Sequence, residues 1–157
     1  KLLTWYKKNK RKLPWRKLYK NRLPNPYFVL ISEYMLQQTT VGTVKKRFEE
    51  FILKWPTISC LANISESKIL SFWSGLGYYA RARNLLKTAK IINKDFKGKI
   101  PNTYNDLIKL PGIGEYTGNV LLALVSVPWW PVTTHLCRQS KSRRSVQLPL
   151  RSYMRTG

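Results

Sequence analysis

Apolar residues recur at helical spacing along most of the chain, and no stretch has the alternation of a β-strand. The spacing predicts short helices at about residues 57–63, 65–73 and 79–95, with Ser65 capping the second. Another helix follows residue 39, carries apolar residues from Val41 to Ile52 and ends before Pro56. We therefore predict an all-α domain in which six or so short helices form one bundle from about residue 26 to 124.

The first 22 residues carry ten Lys or Arg and no acid, so they are candidates for phosphate contacts. Leu2, Leu3, Trp5 and Tyr6 are spaced as on one face of a helix, which predicts an amphipathic helix that docks this face. We expect a basic segment with one helix at residues 1–25 and a main domain at 26–138. Residues 139–157 would then be a basic tail, either disordered or frameshifted.

A single carboxylate, Glu33, lies in an otherwise apolar segment that we expect to be helical from about residue 26 to 40. Asn25 suits the N-cap of this helix and Pro26 its first position. Apolar residues surround most of such a helix, so the Glu33 carboxyl would lose solvent and its pKa would rise. A carboxyl of this kind holds a proton near neutral pH, as a general acid must. The alternative is a carboxylate at a helix end with its head in water.

Composition and charge indicate the partner. The chain is 43% hydrophobic, which suits one compact domain, and it carries 29 basic against 7 acidic residues, a net charge of +22. So strong a positive charge favours a polyanion, with nucleic acid as the leading partner, although lysine-rich surfaces can also be merely solvated. No apolar run reaches the ~20 residues of a membrane span, and no signal segment opens the chain, so we expect a soluble intracellular protein. Two cysteines and one histidine are too few for a zinc or iron–sulfur site.

The second informative segment joins a helix from Tyr104 to Leu110 to another that begins at Glu115. The connection reads Pro-Gly-Ile-Gly at residues 111–114. Its two glycines permit a tight hairpin whose backbone N–H groups, together with the next helix N-terminus, can bind a phosphate oxygen. An ordinary turn between two helices is the alternative, and the basic chain favours phosphate binding.

Four segments resemble the helix-hairpin-helix DNA glycosylases, and within them the MutY-type adenine glycosylases that remove adenine mispaired with 8-oxoguanine. They are LPWR at residues 13–16, SEYMLQQT at 32–39, GLGYYARARNL at 75–85 and LPGIGEYT at 110–117. The resemblance runs from about Leu3 to Arg138. It implies a base-excision-repair hydrolase that acts on double-stranded DNA containing A:8-oxoG or A:G mispairs. Related lyases carry a catalytic lysine where this chain has Tyr116, so a monofunctional enzyme is expected.

Site residues follow from the resemblance position by position. It implies that Glu33 protonates adenine N7 and then activates water, with Tyr116 in support. The positions matching the wall of the adenine pocket are Arg11, Leu13, Trp15, Arg16, Leu36 and Val41. Gln38 and Tyr78 match residues that wedge into the base stack, Leu76 lies beside them, and Pro111, Gly112, Ile113 and Gly114 match the DNA-binding hairpin. An aromatic or Leu side chain in a helical protein is more often core than pocket, so these assignments rest on the motifs.

One position departs from the family. The family places an Asp in a Val-Asp-x-x-x-x-Arg segment to stabilise positive charge on the deoxyribose, and this chain has Thr133 there, before Arg138. A neutral hydroxyl cannot replace that charge. We therefore expect impaired glycosylase activity, and the alternative is a catalytically silent DNA-binding remnant.

Residue usage changes at the end of the chain. Lys outnumbers Arg 17 to 6 through residue 137, and the ratio is then 1 to 5. Either residues 139–157 are an ordinary basic tail, or the end is a frameshifted sequence that begins between Val125 and Gln139. The family usually continues with a second lobe that carries a 4Fe–4S cluster, and we expect that lobe, the cluster cysteines and any metal to be missing here. Because the first helix packs on that lobe in the family, we expect the N-terminal segment of this chain to be poorly anchored. We also expect a monomer, in the bacterial cytoplasm or, in a eukaryote, the nucleus or mitochondrion.

Overall fold

The computed structural model describes residues 1–17 and 24–125, and these residues form eight α-helices and one 3₁₀ turn. The 3₁₀ turn spans Pro14–Arg16. The helices are α1 (Leu2–Asn9), α2 (Pro26–Leu36), α3 (Val41–Lys54), α4 (Ile58–Ala62), α5 (Glu66–Trp73), α6 (Ala80–Asp95), α7 (Tyr104–Ile108) and α8 (Glu115–Val125). No β-strand occurs in these ranges. The prediction of an all-α fold is confirmed.

Side-chain caps fix where helices begin. The side chain of Asn25 accepts a 2.9 Å hydrogen bond from the Tyr27 N–H, and Pro26 occupies the first position of α2. The hydroxyl of Ser65 accepts from the Lys68 N–H at 3.4 Å at the start of α5. These caps satisfy amide groups that have no partner inside a helix, so the predicted starts of both helices are confirmed.

Two predicted helices end earlier than expected. The helix that holds Glu33 stops at Leu36 and does not continue to residue 40, because Gln37 leaves helical geometry and Gln38 takes a left-handed φ of 57°. The helix expected to reach Leu110 stops at Ile108, and the Leu110 N–H closes a tighter turn on the Leu107 carbonyl. Sequence periodicity locates helices better than it locates their last turn.

Helix α2 is the central element of the bundle, in contact with α3, α6 and α8. Most of its residues are buried, and Leu30, Ile31, Tyr34 and Met35 have no exposed surface. Beside it, rings from α3, α5 and the residue after α3 pack edge to face: Phe51, Trp55 and Phe72 lie with centroids 4.8–5.4 Å apart. A site on α2 is therefore held by the core of the domain.

Helix α1 has the predicted amphipathic sequence, but its apolar side chains do not dock on the rest of the described chain. Leu2, Leu3 and Trp5 are 78%, 65% and 62% exposed. In the described residues this face is largely exposed, as expected of a poorly anchored first helix, and the docked packing that its spacing suggests is not seen. Residues 18–23 and 126–157 lie outside the described ranges, and with them Thr133, Arg138, the end of the 26–138 domain and the 139–157 tail. None of the described helices is long and apolar enough to cross a membrane.

Candidate active site and DNA-binding hairpin

Glu33 lies on α2 with its side chain partly buried. Burial raises the pKa of its carboxyl above the usual range, and the nearby positive charge of Arg16 lowers it to a smaller extent. Val29 and Leu30, which precede Glu33 by about one turn of α2, are 1% and 0% exposed, so water is excluded from that part of the helix. A carboxyl in this setting keeps its proton to higher pH than a solvated one and can act as a general acid.

A cavity of about 590 Å³ opens beside the 3₁₀ turn. Arg11, Leu13 and Arg16 line it, together with Lys45 and Glu49 of α3. Glu33 is not among its lining residues. Arg16 connects the two features, because it lines the cavity and its charge acts on the Glu33 carboxyl.

The other three residues expected in the pocket wall lie elsewhere. Trp15 is 3% exposed and packs edge to face on Phe48, with ring centroids 5.3 Å apart. Leu36 and Val41 are partly buried against the same core. Trp15 thus has a structural role in the described residues, and the pocket role of all three stays a prediction.

The 111–114 hairpin is a tight turn that depends on Gly112. Gly112 has a φ of +79°, and a Cβ at this position would lie 3.0–3.1 Å from the side chains of Asn84 and Tyr34. Ile113 is 5% exposed and fixes the hairpin to the core, whereas an added Cβ on Gly114 would meet nothing within 4 Å. Gly112 is therefore required for the backbone conformation of the turn, and Gly114 leaves the surface of the hairpin free of a side chain.

Helices α2 and α6 hold the hairpin by its carbonyl groups. The hydroxyls of Tyr34 and Thr88 lie 2.9 Å apart, and both donate to the carbonyl of Pro111. The side-chain amide of Gln37 donates to the carbonyl of Gly112 at 3.1 Å. Burial raises the pKa of Tyr34, so its hydroxyl keeps the proton that it donates. Sequence reasoning missed these anchors, because a Tyr, Thr or Gln within a helix shows no pattern that distinguishes an anchor from a core or surface residue.

Two exposed residues of the hairpin, Gly112 and Gly114, offer backbone amide groups for binding. The N–H groups of Gly112 and Gly114 have no acceptor among the described residues, and α8 begins at the next residue with its own unpaired first-turn amides. Such a set of amides, at the positive end of a helix dipole, suits an anion. Tyr116 in that first turn is 76% exposed and makes no hydrogen bond to Glu33, so its support of Glu33 stays a prediction.

The two predicted wedge residues share an unusual backbone conformation. Gln38 and Tyr78 have φ values of 57° and 49°, in the left-handed region that residues other than glycine seldom adopt. Both are exposed, Tyr78 by 61%, whereas neighbouring Leu76 is 6% exposed and belongs to the core. Two projecting side chains on constrained turns are suited to contact another molecule.

Comparison with known proteins gives the family. A family profile described as HhH-GPD superfamily base excision DNA repair protein matches residues 31–148. This match covers well over half of the chain and includes Glu33, the hairpin and α8. The chain belongs to the HhH-GPD superfamily of base excision DNA repair proteins. The match also extends past Arg138, where the sequence motifs end.

Curated relatives of the chain are adenine DNA glycosylases, which confirms the resemblance to the adenine branch. The enzyme of Buchnera aphidicola subsp. Schizaphis graminum is 47% identical over 135 residues, which are 83% of this chain and 37% of that protein. The enzyme of Rattus norvegicus is 42% identical over 127 residues, 78% of this chain and 25% of that protein. The chain thus spans well under half of the length of these relatives.

Solved structures agree on the fold. A thermostable thymine-DNA glycosylase superposes with a TM-score of 0.70 and 29% identity, over 80% of this chain and 56% of that one. Endonuclease III in a non-covalent DNA complex superposes with a TM-score of 0.62 and 27% identity, over 66% of this chain and 50% of that one. The predicted helix-hairpin-helix glycosylase fold is confirmed.

The family resemblance implies an iron–sulfur cluster, and the residues of this chain can be compared with the ligands that such a cluster needs. Within residues 1–17 and 24–125 no three His, Cys, Asp or Glu side chains are grouped to hold a metal ion. A 4Fe–4S cluster takes four cysteines, and the sequence has two: Cys60, exposed on α4, and Cys137, outside the described ranges. These two cysteines do not fit the cluster.

Proposed function

We propose that the chain is a DNA glycosylase that hydrolyses the N-glycosidic bond of adenine mispaired with 8-oxoguanine or guanine. The observation that supports it most directly is the adjacency of Glu33 and Tyr34 on α2. Glu33 is the partly buried carboxyl with a raised pKa, and Tyr34 anchors the hairpin through the Pro111 carbonyl. A candidate proton donor and a candidate phosphate site are thus joined through one rigid helix.

The chemistry needs a protonated carboxyl. Adenine leaves far more easily as a neutral base than as an anion, so a proton must reach it as the bond to the sugar breaks. Glu33 would donate this proton to N7 of the base. The resulting carboxylate would then take a proton from the water that attacks C1′ of the deoxyribose. No lysine stands at position 116 to form a Schiff base, which leaves water as the nucleophile.

DNA binding would depend on residues that take no part in breaking the glycosidic bond. The backbone amides of the 111–114 hairpin and of the first turn of α8 would hold a phosphate, and Gln38 and Tyr78 would enter the base stack beside the mispair. The +22 charge adds an attraction to any duplex. Support also comes from endonuclease III, a structural neighbour whose solved form is a DNA complex. We expect one chain per site.

Thr133 would limit the rate. The breaking bond leaves positive charge on the deoxyribose, and a hydroxyl at the position of the family's Asp stabilises it less than a carboxylate does. The second candidate function follows from the same residue: a DNA-binding remnant that keeps the hairpin and has lost the chemistry. Both candidates bind duplex DNA, and only the first releases adenine.

A single-turnover assay of adenine release separates these candidates. The substrates are duplexes with A:8-oxoG or A:G, with the matched A:T duplex as control, and the proteins are the parent chain, E33Q and E66Q. Glu66 is exposed and, among the described residues, forms an ion pair with Arg83 on the surface, so E66Q should behave as the parent. We expect slow release from the mispaired duplexes by the parent, and none by E33Q. Binding without any release would favour the remnant, and equal release by E33Q would overturn the role of Glu33.

A further inference from the structure

Arg81 is buried at the start of α6, where it binds two separate turns at once. It is 6% exposed. One guanidinium nitrogen donates to the carbonyls of Met35, at 2.8 Å, and Gln37. The other donates to the carbonyls of Leu76, at 2.9 Å, and Gly77, at 3.0 Å. The first pair lies at the end of α2 and the second in the turn before α6, so a single side chain joins these two segments.

Each turn held by Arg81 leads directly to a residue in a left-handed conformation. Gln37 precedes Gln38, and Gly77 precedes Tyr78, whose ring centroid lies 5.5 Å from the guanidinium carbon. A left-handed residue other than glycine costs about 1–2 kcal/mol and persists only where its surroundings fix it. Gln38 and Tyr78 are exposed, so their own burial does not supply that constraint.

The geometry points to Arg81 as a positioning residue that sets Gln38 and Tyr78 as one two-pronged wedge and thereby determines discrimination of the mispair. This inference rests on the proposed function and adds a specificity-determining residue to it. Side chains that enter a base stack must offset the loss of stacking, a few kcal/mol per step, so their position relative to each other decides which base steps they open. The carbonyl bonds of Arg81 fix that relative position.

The substitution R81K keeps the positive charge and removes the hydrogen bonds that join the two turns. An ammonium group is a point charge with three donors, whereas the planar fork of arginine reaches two sets of carbonyls in fixed directions. The matched control is Arg83, two residues along α6, which is exposed and pairs with Glu66 at 2.9 Å. The hairpin is held mainly by the hydroxyls of Tyr34 and Thr88 on the Pro111 carbonyl, to which Arg81 makes no hydrogen bond, so R81K should leave the phosphate site in place.

The test is equilibrium binding of the full chain to a duplex with A:8-oxoG and to the same duplex with a matched A:T pair. R81K should lower the ratio of the two affinities by about tenfold, equivalent to ~1.4 kcal/mol, and change the matched-duplex affinity by less than about twofold. R83K should change neither. In a Gln38→Ala/Tyr78→Ala background, R81K should have no further effect on the ratio, since Arg81 acts through those two side chains.

Urea unfolding of each variant comes first. If R81K does not fold, R81Q, which keeps two donors, replaces it, and failure of both would show that Arg81 supports the whole fold and would overturn the inference. Equal loss of affinity for both duplexes, or an unchanged ratio in R81K, would overturn it and leave the proposed function intact. A parent chain that binds both duplexes equally would overturn the proposed specificity and the inference together.

Discussion

The side-chain amide of Gln37 donates a 3.1 Å hydrogen bond to the carbonyl of Gly112, across 75 residues of sequence. Gln37 is the first residue after α2, four positions from Glu33, and Gly112 is the left-handed residue of the hairpin. The bond therefore connects the end of the helix that carries the candidate acid to the turn that would hold a phosphate. A displacement of the hairpin would therefore shift the residue that ends α2.

Substitution of the two hairpin glycines should separate effects on the stability of the fold from effects on duplex binding. Gly112→Ala places a Cβ in a left-handed residue against Tyr34 and Asn84, and should lower the free energy of unfolding by about 1–2 kcal/mol and weaken duplex binding. Gly114→Ala adds a methyl group in open space, and should change stability by less than about 0.5 kcal/mol while still weakening duplex binding. Urea titration and fluorescence anisotropy measure the two effects. Full duplex affinity in Gly114→Ala would argue against a phosphate at this hairpin.

The raised pKa of Glu33 predicts how stability depends on pH. Between the unfolded and the folded pKa the native state binds more protons, so the free energy of unfolding falls as pH rises through this window. Above the folded pKa the charged, partly buried carboxylate carries its full cost. E33Q removes this cost and should be more stable than the parent at neutral pH, with the difference shrinking below about pH 4, where the unfolded carboxyl is protonated.

Urea unfolding of the parent and E33Q across that pH range measures this difference. E49Q is the matched substitution of a carboxyl outside α2, at an exposed position of α3. Parallel profiles for the parent and E33Q would mean that the Glu33 carboxyl has its ordinary pKa.

Binding to duplex DNA should be sensitive to salt. Each phosphate neutralised by Lys or Arg contributes about −0.9 to the slope of log K against log salt concentration, because counterions are released. With a charge of +22 the chain should lose at least about tenfold in affinity between 50 and 200 mM salt. Anisotropy titrations at several salt concentrations give the slope. A flat line would count against a basic surface that follows the DNA backbone.

The helices of this domain were predictable because their periods and caps are local. Asn25 and Ser65 mark helix starts by hydrogen bonds to amides two or three residues away, and such signals are visible in the sequence. Glu33 could also be identified as a candidate from the sequence, because apolar residues on both sides of a lone carboxylate in a helix indicate that its carboxyl loses solvent.

The tertiary links could not be read from the sequence. Arg81 lies in a basic chain where its charge carries no special signal, and its burial depends on carbonyls up to 47 residues away. The contact between Trp15 and Phe48 was not predictable either, since aromatic side chains of the core and of a pocket look alike in sequence. The periodicity of α1 shows that one of its faces is apolar. It does not show whether another segment packs on that face, so the exposure of α1 could not be predicted from this pattern alone.

Release of free adenine by Thr133→Asp, with and without Glu33→Gln, tests the central claim most directly. The new carboxylate should stabilise charge on the sugar and raise the single-turnover rate on an A:8-oxoG duplex above that of the parent. Chromatographic measurement of adenine should then find faster release by T133D than by the parent and no release by the E33Q/T133D double variant. Equal release by T133D and the double variant would contradict the assignment of Glu33 as the proton donor.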